Sequence, residues 1–339
     1  MSLFDEIFKY KSISVVGMAK NTGKTEAMKA LLEACRLRGH RIGITSIGVD
    51  GESTDQVTGT QKPEIVLAKG SLFVTSEKYF KERKMSAEVL AVSQSWSALG
   101  RLVTARAITP GKIILSGPVS TARLREVIGD LQNLGAETVF VDGALSRKSL
   151  GSPSVTEGLV LATGAALSPN LHELVRKTEF VCDLVRLPRY DTPMLSQLLE
   201  IEQGIFAIDG DELYDLGISS AFLLEKKKAE LFSHGHCLFV SGAVGDKLLE
   251  MMRLQPEISD TTLIVKDFTK IFASQSAFRA FCQKGGKMQV LLRPNLLGIC
   301  VNPWSPSGYV MDSEKLQAAL TEVLGLPVYD VIKNNSRLY

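Results

Sequence analysis

Residues 17–25, with the sequence GMAKNTGKT, constrain this chain more than any other segment. An apolar run at residues 13–16 precedes them and predicts a β-strand. Residues 25–38 follow and predict a helix with one apolar face. That face carries Met28, Leu31, Leu32 and Cys35 at helical spacing. A glycine-bearing loop between a strand and a helix is a setting in which proteins bind phosphate groups.

The loop offers each group that a triphosphate requires. Gly23 permits close approach of the backbone, and the N-terminus of the following helix adds partial positive charge. Lys24 can reach the β- and γ-phosphates, and the Thr25 hydroxyl can ligate Mg²⁺. We therefore expect ATP and Mg²⁺ as ligands, with Lys24 as a catalytic residue. The residues expected to bind the nucleotide are Gly17, Ala19, Lys20, Asn21, Thr22, Gly23, Lys24 and Thr25. The alternative is a chance Gly-Lys-Thr triplet at a strand-to-helix turn.

Carboxylates that follow two predicted strands are candidates for positioning the metal ion and the attacking water. Residues 138–141 predict an apolar strand that ends at Asp142, and open α/β sheets bind ligands at the carboxyl ends of their strands. Asp142 is the expected magnesium ligand, with a turn-capping role as the alternative. Asp50 follows the predicted strand at residues 42–45 and is the expected catalytic carboxylate. Asp55 is the next choice, and loop roles are the alternative for both.

Short apolar runs alternate with helical patterns along most of the chain, which predicts an α/β fold with largely parallel sheets. We expect a P-loop NTPase domain at residues 1–188, followed by a second, Rossmann-like α/β half at residues 189–339. Residues 87–107 are interpreted as a helix, and residues 302–306 are expected at the mouth of the second sheet. Further strands are expected at residues 64–67, 112–115, 159–162, 205–208, 237–240, 263–265, 289–292, 297–301 and 328–331.

The composition is that of an ordinary globular protein. The 339 residues carry a net charge of +2, so no overall positive field attracts nucleic acid or acidic membranes. The five cysteines form no CxxC pair, which argues against a disulfide framework or a structural zinc site. No apolar run reaches the ~18 residues that a membrane span needs, and the N-terminus lacks the apolar core of a signal peptide. A soluble, cytoplasmic protein is expected.

The position of the first glycine separates this loop from the usual phosphate-binding pattern. That pattern has glycine at the position of Met18, whereas here Gly17 lies one residue earlier. The loop resembles the variant loops of dethiobiotin-synthetase-like and related ATPases, which also carry an early glycine before Gly-Lys-Thr. Lys20 lies one position from the place where dimeric members of that superclass carry a second lysine. A homodimer is therefore one expectation.

Several segments together resemble one family, the small ATP-binding subunit of lysine 5,6-aminomutase reactivase. These segments are residues 17–25, 45–52, 141–144, 161–165 and 302–309. The resemblance implies that the chain acts with a larger subunit that is similar to a mismatch-repair ATPase. It also implies that the pair uses ATP to release damaged cobalamin from a cobalamin-dependent aminomutase and to restore its activity.

Two other functions fit the same loop. A small-molecule ligase or kinase of the dethiobiotin-synthetase type would bind a carboxylate or amine substrate beside the γ-phosphate. A regulatory module would bind the nucleotide and hardly hydrolyse it. ATP turnover that depends on a partner protein, on a metabolite or on neither distinguishes these functions.

Overall fold

The computed structural model describes residues 3–47, 64–118, 120–144, 155–219, 227, 230–256 and 258–335. The chain divides into two compact units. One comprises Met1–Glu179 and Pro294–Tyr339, and the other comprises Phe180–Arg293. Asp50 and Asp55 lie outside the described residues, so the roles expected for them stay predictions.

Helices and strands alternate along the described residues. The helices are α1 (Leu3–Glu6), α2 (Lys24–Leu37), α3 (Glu77–Lys81), α4 (Thr121–Asn133), α5 (Leu171–Val185), α6 (Leu195–Glu200), α7 (Asp246–Arg253), α8 (Gln275–Gln283), α9 (Ser313–Leu324) and α10 (Val331–Asn335). The strands are β1 (Ser12–Gly17), β2 (Ile42–Ser46), β3 (Ile65–Leu67), β4 (Leu72–Ser76), β5 (Ala87–Ser97), β6 (Gly100–Ala107), β7 (Gly111–Ile113), β8 (Thr138–Ala144), β9 (Gly158–Gly164), β10 (Ile205–Asp209), β11 (Glu212–Asp215), β12 (Cys237–Val240), β13 (Thr262–Val265), β14 (Lys287–Val290), β15 (Asn295–Asn302) and β16 (Val328–Asp330).

The first unit is built on a sheet with the strand order β16-β15-β9-β1-β8-β2-β4-β6-β5. The strands from β16 to β4 run parallel, and the β5–β6 hairpin adds two antiparallel strands at one edge. Every residue of β1 and of β9 is buried. Parallel strands are buried in this way when helices cover both faces of the sheet, which explains their nearly continuous apolar sequences.

Alternating side chains of the central strands contribute to two separate cores. On β8, Phe140 belongs to the buried cluster that contains Met28 of α2. Its neighbour Val139 belongs to the cluster that contains Leu131 of α4. Since side chains alternate between the faces of a strand, Asp142 lies on the same face as Phe140. The carboxylate is thereby directed to the face that α2 covers.

The second unit contains a smaller sheet with the strand order β11-β10-β12-β13-β14. The strands β12, β13 and β14 are parallel, whereas β10 pairs antiparallel with both β11 and β12. Leu198 of α6 packs in one buried cluster with Phe239 and Ile264 of this sheet. The whole chain is thus an α/β protein with mixed sheets, and the second sheet is only partly of the parallel kind that we expected.

The predicted division at residue 188 differs from the compact units. Residues 294–339, which we assigned to the second half, return to the first unit, where β15 pairs parallel with β9. The second unit is therefore an insertion within the first. An apolar strand such as β15 carries the same sequence pattern whichever parallel partner it joins, so periodicity alone does not reveal this return.

The interpretation of residues 87–107 as a helix is wrong. These residues form the β5–β6 hairpin, whose tight turn uses Gly100 at φ +88°. Most side chains of β5 are exposed or half-buried, so the strand lacks the alternation of buried and exposed residues that would have identified it. The strand predicted at residues 112–115 also differs, because β7 pairs antiparallel with β3 in a separate two-stranded sheet.

No helix within the described ranges combines the length and the apolar character that crossing a membrane requires.

We expect Phe140→Ala to lower the free energy of unfolding by about 3–5 kcal/mol, because Phe140 is fully buried and its truncation leaves a cavity between β8 and α2. Chemical denaturation measures the change. Leu37→Ala is the control, since Leu37 is 55% exposed, and it should shift stability by less than about 0.5 kcal/mol. Similar losses in both variants would contradict this account of the core.

Candidate functional site

The loop at residues 18–23 connects the end of β1 to the start of α2. Because β1 lies between β8 and β9 and is parallel to both, the loop lies at the carboxyl edge of the sheet. The backbone N–H of Met18 donates to the carbonyl oxygen of Ala162 on β9 at 2.9 Å, which fixes the start of the loop. This edge is where open α/β sheets bind their ligands.

Two left-handed residues shape the loop. Asn21 has φ +61° and is the one non-glycine residue with positive φ among the described residues, and Gly23 has φ +94°. Left-handed residues within a turn let successive backbone N–H groups face the same side, which creates a concavity for an anion. The Thr22 hydroxyl, which is buried, donates to the carbonyl oxygen of Ala19 at 2.8 Å and closes the loop on itself.

Gly17 leaves room for the loop, which folds tightly over it. A Cβ atom at this position would lie 3.1 Å from the Thr22 hydroxyl oxygen and 3.3 Å from Cβ of Lys24. The early glycine of the sequence pattern therefore has a steric role: it lets the loop turn back over the end of β1. Lys20 and Asn21 are exposed, whereas Lys24 and Thr25 are half-buried in the first turn of α2.

The charged pair of the site consists of Lys24 and Asp142. Lys24 Nζ lies 2.9 Å from Asp142 Oδ1, and the two side chains are 24% and 18% exposed. The pair forms because Asp142 follows Phe140 on the α2 face of β8 while Lys24 is the first residue of α2. The structure thus brings together the lysine and the carboxylate that the sequence singled out from segments far apart in the chain.

The backbone around Asp142 is fixed by β2. The Ser46 hydroxyl and the Ile47 N–H both donate to the carbonyl oxygen of Asp142, at 3.2 Å and 2.9 Å. These bonds hold the end of β8 in place independently of the carboxylate. The Asp142 side chain therefore faces Lys24 from a position that the sheet defines.

Asn302 is a site residue that the sequence reasoning placed elsewhere. We expected residues 302–306 at the mouth of the second sheet, but Asn302 ends β15 of the first sheet. Its Nδ2 donates to the carbonyl oxygen of Asn21 at 3.2 Å, and its Oδ1 accepts from the N–H of Trp304 at 3.0 Å. The side chain thus fixes the loop at its left-handed residue.

Two glycines bring Asn302 close to the loop. A Cβ atom on Gly23 would lie 2.7 Å from Cβ of Asn302, and a Cβ atom on Gly164 would lie 2.1 Å from its carbonyl oxygen. Ala165 N–H also donates to that carbonyl oxygen at 2.9 Å. Glycine at both positions is the signal that could have identified this contact, since each permits a backbone approach that a side chain would block.

Two buried hydroxyl groups near the end of β2 lack hydrogen-bond partners among the described residues. They belong to Thr45 on β2 and to Ser116, and both residues are almost fully buried. Gly117 packs against the end of β2, because a Cβ atom there would lie 1.8 Å from the Ser46 carbonyl oxygen and 2.9 Å from the Thr45 hydroxyl. A buried hydroxyl without a partner is costly, so this pair of residues calls for an explanation.

The two cysteines in the elements around the loop do not supply a nucleophile. Burial raises the pKa of the Cys35 and Cys300 thiols to about 12, so both stay protonated at neutral pH. Within the ranges that the structure describes, no three His, Cys, Asp or Glu side chains are grouped closely enough to bind a metal ion by themselves. A metal ion at Asp142 would therefore need further ligands from Thr25, water or a bound phosphate.

No protein-family model, curated protein or solved structure matches this chain.

We expect Asn302→Ala to weaken the proposed nucleotide binding about 2- to 10-fold, because it removes the hydrogen bond that holds the left-handed Asn21 in place. Isothermal titration calorimetry with ATP and Mg²⁺ measures the change. Asn295→Ala is the matched control. Asn295 begins the same strand, and its side chain donates to the Glu157 carbonyl oxygen at the amino end of the strands, away from the loop. Equal effects of the two substitutions would show that Asn302 acts only through the stability of β15.

Proposed function

We propose that this chain binds ATP with Mg²⁺ at residues 17–25 and hydrolyses it as a P-loop ATPase. The observation that carries this proposal is the placement of Lys24 Nζ 2.9 Å from Asp142 Oδ1, beside a loop with two left-handed residues. A cation at a helix N-terminus favours phosphate, and a carboxylate on the adjacent parallel strand favours the metal ion that phosphate carries. The two preferences support one ligand, a metal–polyphosphate chelate.

The proposal assigns each residue of the site a separate role in phosphoryl transfer. The N–H groups of the loop and the N-terminus of α2 bind the phosphates, and Lys24 neutralises charge that develops on the γ-phosphate. Thr25 and Asp142 fit Mg²⁺, because a hydroxyl and a carboxylate are hard oxygen ligands, and the bound ion would supply further charge neutralisation. Asp50 is proposed to orient the attacking water.

The finer proposal concerns what the hydrolysis drives. The resemblance to the small reactivase subunit suggests that ATP turnover in this chain remodels a partner, namely a cobalamin-dependent aminomutase together with a larger ATPase subunit. A cytoplasmic location fits such a partner. The proposal of a nucleotide ligand rests on the geometry of the loop and Asp142, whereas the proposal of a partner rests on the resemblance alone.

A second candidate function is a ligase or kinase that acts on a small molecule. The hydroxyls of Thr45 and Ser116 favour it, because both are buried near the end of β2, the strand next to β8, and neither has a partner among the described residues. A carboxylate or amine substrate that reached these hydroxyls would provide the hydrogen bonds that they lack. The resulting enzyme would transfer the γ-phosphoryl group to that substrate.

We expect Lys24→Ala to abolish detectable ATP binding, a loss of at least about 100-fold, while the far-UV circular dichroism spectrum stays unchanged. The loss follows because Lys24 supplies the ammonium group that faces Asp142 at the end of β8. Lys29→Ala is the control, since Lys29 is exposed on the same helix and pairs with Glu26. Retained ATP affinity in Lys24→Ala would refute the assignment of the loop.

We expect the rate of ATP hydrolysis to rise when the aminomutase and the larger subunit are added, because the proposed function couples turnover to a partner. A phosphate-release assay measures the rate with protein partners and, separately, with a panel of small carboxylates and amines. Stimulation by a metabolite alone would favour the ligase or kinase. Tight binding without turnover under every condition would favour a regulatory module.

A further inference from the structure

The ion pair of the site joins the two charges that its proposed ligand needs. Lys24 is the group that would bind phosphate, and Asp142 is the group that would bind Mg²⁺, yet each already binds the other at 2.9 Å. Both side chains are more than three-quarters buried, so solvent screens the pair only in part. A ligand that separates the two groups must therefore break an existing contact as it gains a new one.

We infer that the Lys24–Asp142 pair is a closed resting state that selects the metal–nucleotide chelate over either of its components. This inference rests on the proposed function and names how its site is regulated. Free ATP could pair with the Lys24 ammonium group only by leaving the Asp142 carboxylate unpaired beside a polyanion. Free Mg²⁺ could take Asp142 only by leaving the Lys24 ammonium unpaired beside a dication. The chelate provides a partner for both groups at once, because its phosphate pairs with Lys24 and its metal ion binds the Asp142 carboxylate.

The elements around the pair favour an exchange of side-chain partners without movement of the backbone. Asp142 is fixed by the bonds from Ser46 and Ile47 to its carbonyl oxygen. Lys24 begins α2, whose first turn is closed by the bond from Ala27 N–H to the Gly23 carbonyl oxygen at 2.8 Å. The lysine has a flexible four-carbon stem, so its ammonium group can leave Asp142 while both backbones stay in place.

The strength of the Lys24–Asp142 ion pair determines how strongly the site prefers the chelate to free ATP or free Mg²⁺. Partly exposed ion pairs alter an equilibrium by roughly two- to fivefold. Each single component should therefore bind more weakly than it would to a site without the pair, by about that factor. The chelate avoids the loss, since it replaces one ion pair with two.

The first test measures the binding of metal-free ATP in EDTA by calorimetry. We expect Asp142→Asn to bind metal-free ATP about two- to fivefold more tightly than the unmodified chain, because its Lys24 is no longer paired. The same variant should lose most of the gain in affinity that Mg²⁺ gives the unmodified chain. A residue that only ligates the metal ion would show the second effect without the first.

A matched control separates the pair from general charge repulsion. Glu26 lies in the first turn of α2, two residues from Lys24, and pairs with Lys29. Glu26→Gln also removes one negative charge near the loop, but it leaves the Lys24–Asp142 pair intact. Its affinity for metal-free ATP should change less than about 1.5-fold. An equal gain in Glu26→Gln and Asp142→Asn would overturn the inference.

A reciprocal test uses the other half of the pair and does not depend on the folding of Asp142→Asn. Electron paramagnetic resonance reports the binding of Mn²⁺ without nucleotide. We expect Lys24→Met to bind Mn²⁺ about two- to fivefold more tightly than the unmodified chain, and Lys29→Met to match the unmodified chain. No gain in Lys24→Met would overturn the inference.

The outcomes also separate this inference from the proposed function. If the unmodified chain binds ATP with Mg²⁺ but neither variant gains affinity for a single component, the resting pair is wrong and the nucleotide site stands. If the unmodified chain binds no ATP with Mg²⁺, the proposed function is wrong and the resting pair falls with it.

Discussion

The parallel pairing of β1 with β8 and β9 is the constraint on which the site depends. Because the three strands end at the same edge, the loop after β1 and the carboxylate of Asp142 meet although Lys24 and Asp142 lie 118 positions apart along the chain. The near-complete burial of these strands fixes their register, since a slip by one residue would move the Asp142 side chain to the α4 face. The hydrophobic core thereby determines a distance between two charges.

The loop itself combines local and distant causes. Gly17, Thr22 and Gly23 let it fold tightly, and these residues lie within the motif. Its left-handed Asn21 accepts a hydrogen bond from the side chain of Asn302. Asn302 lies on β15, which follows the inserted second unit in the sequence. A loop conformation that looks like a property of nine residues is therefore also supported by β15, far along the chain.

The sequence was sufficient to predict β1, α2 and β8 and to place Asp142 at the end of an apolar strand. Each is marked by local periodicity or by a polar residue that follows an apolar run. It was insufficient for Asn302, since parallel strands can pair with any neighbour and the apolar pattern of β15 is compatible with either sheet. The β5–β6 hairpin was mistaken for a helix for a different reason. Its first strand, β5, has only exposed or half-buried side chains and so lacks the period of two that marks a half-buried strand.

The insertion of residues 180–293 also determines when the contacts of the loop at residues 17–25 become complete during synthesis. The bond between Asn302 and Asn21 joins residues 281 positions apart. At about 5–20 residues per second, a ribosome needs roughly 14–56 s to make the residues that separate them. Once β9 has been made, it has no β15 beside it until the inserted second unit has been translated, and its unpaired edge is open to wrong pairing or to a chaperone. Completion of the loop is thus tied to the translation of β15.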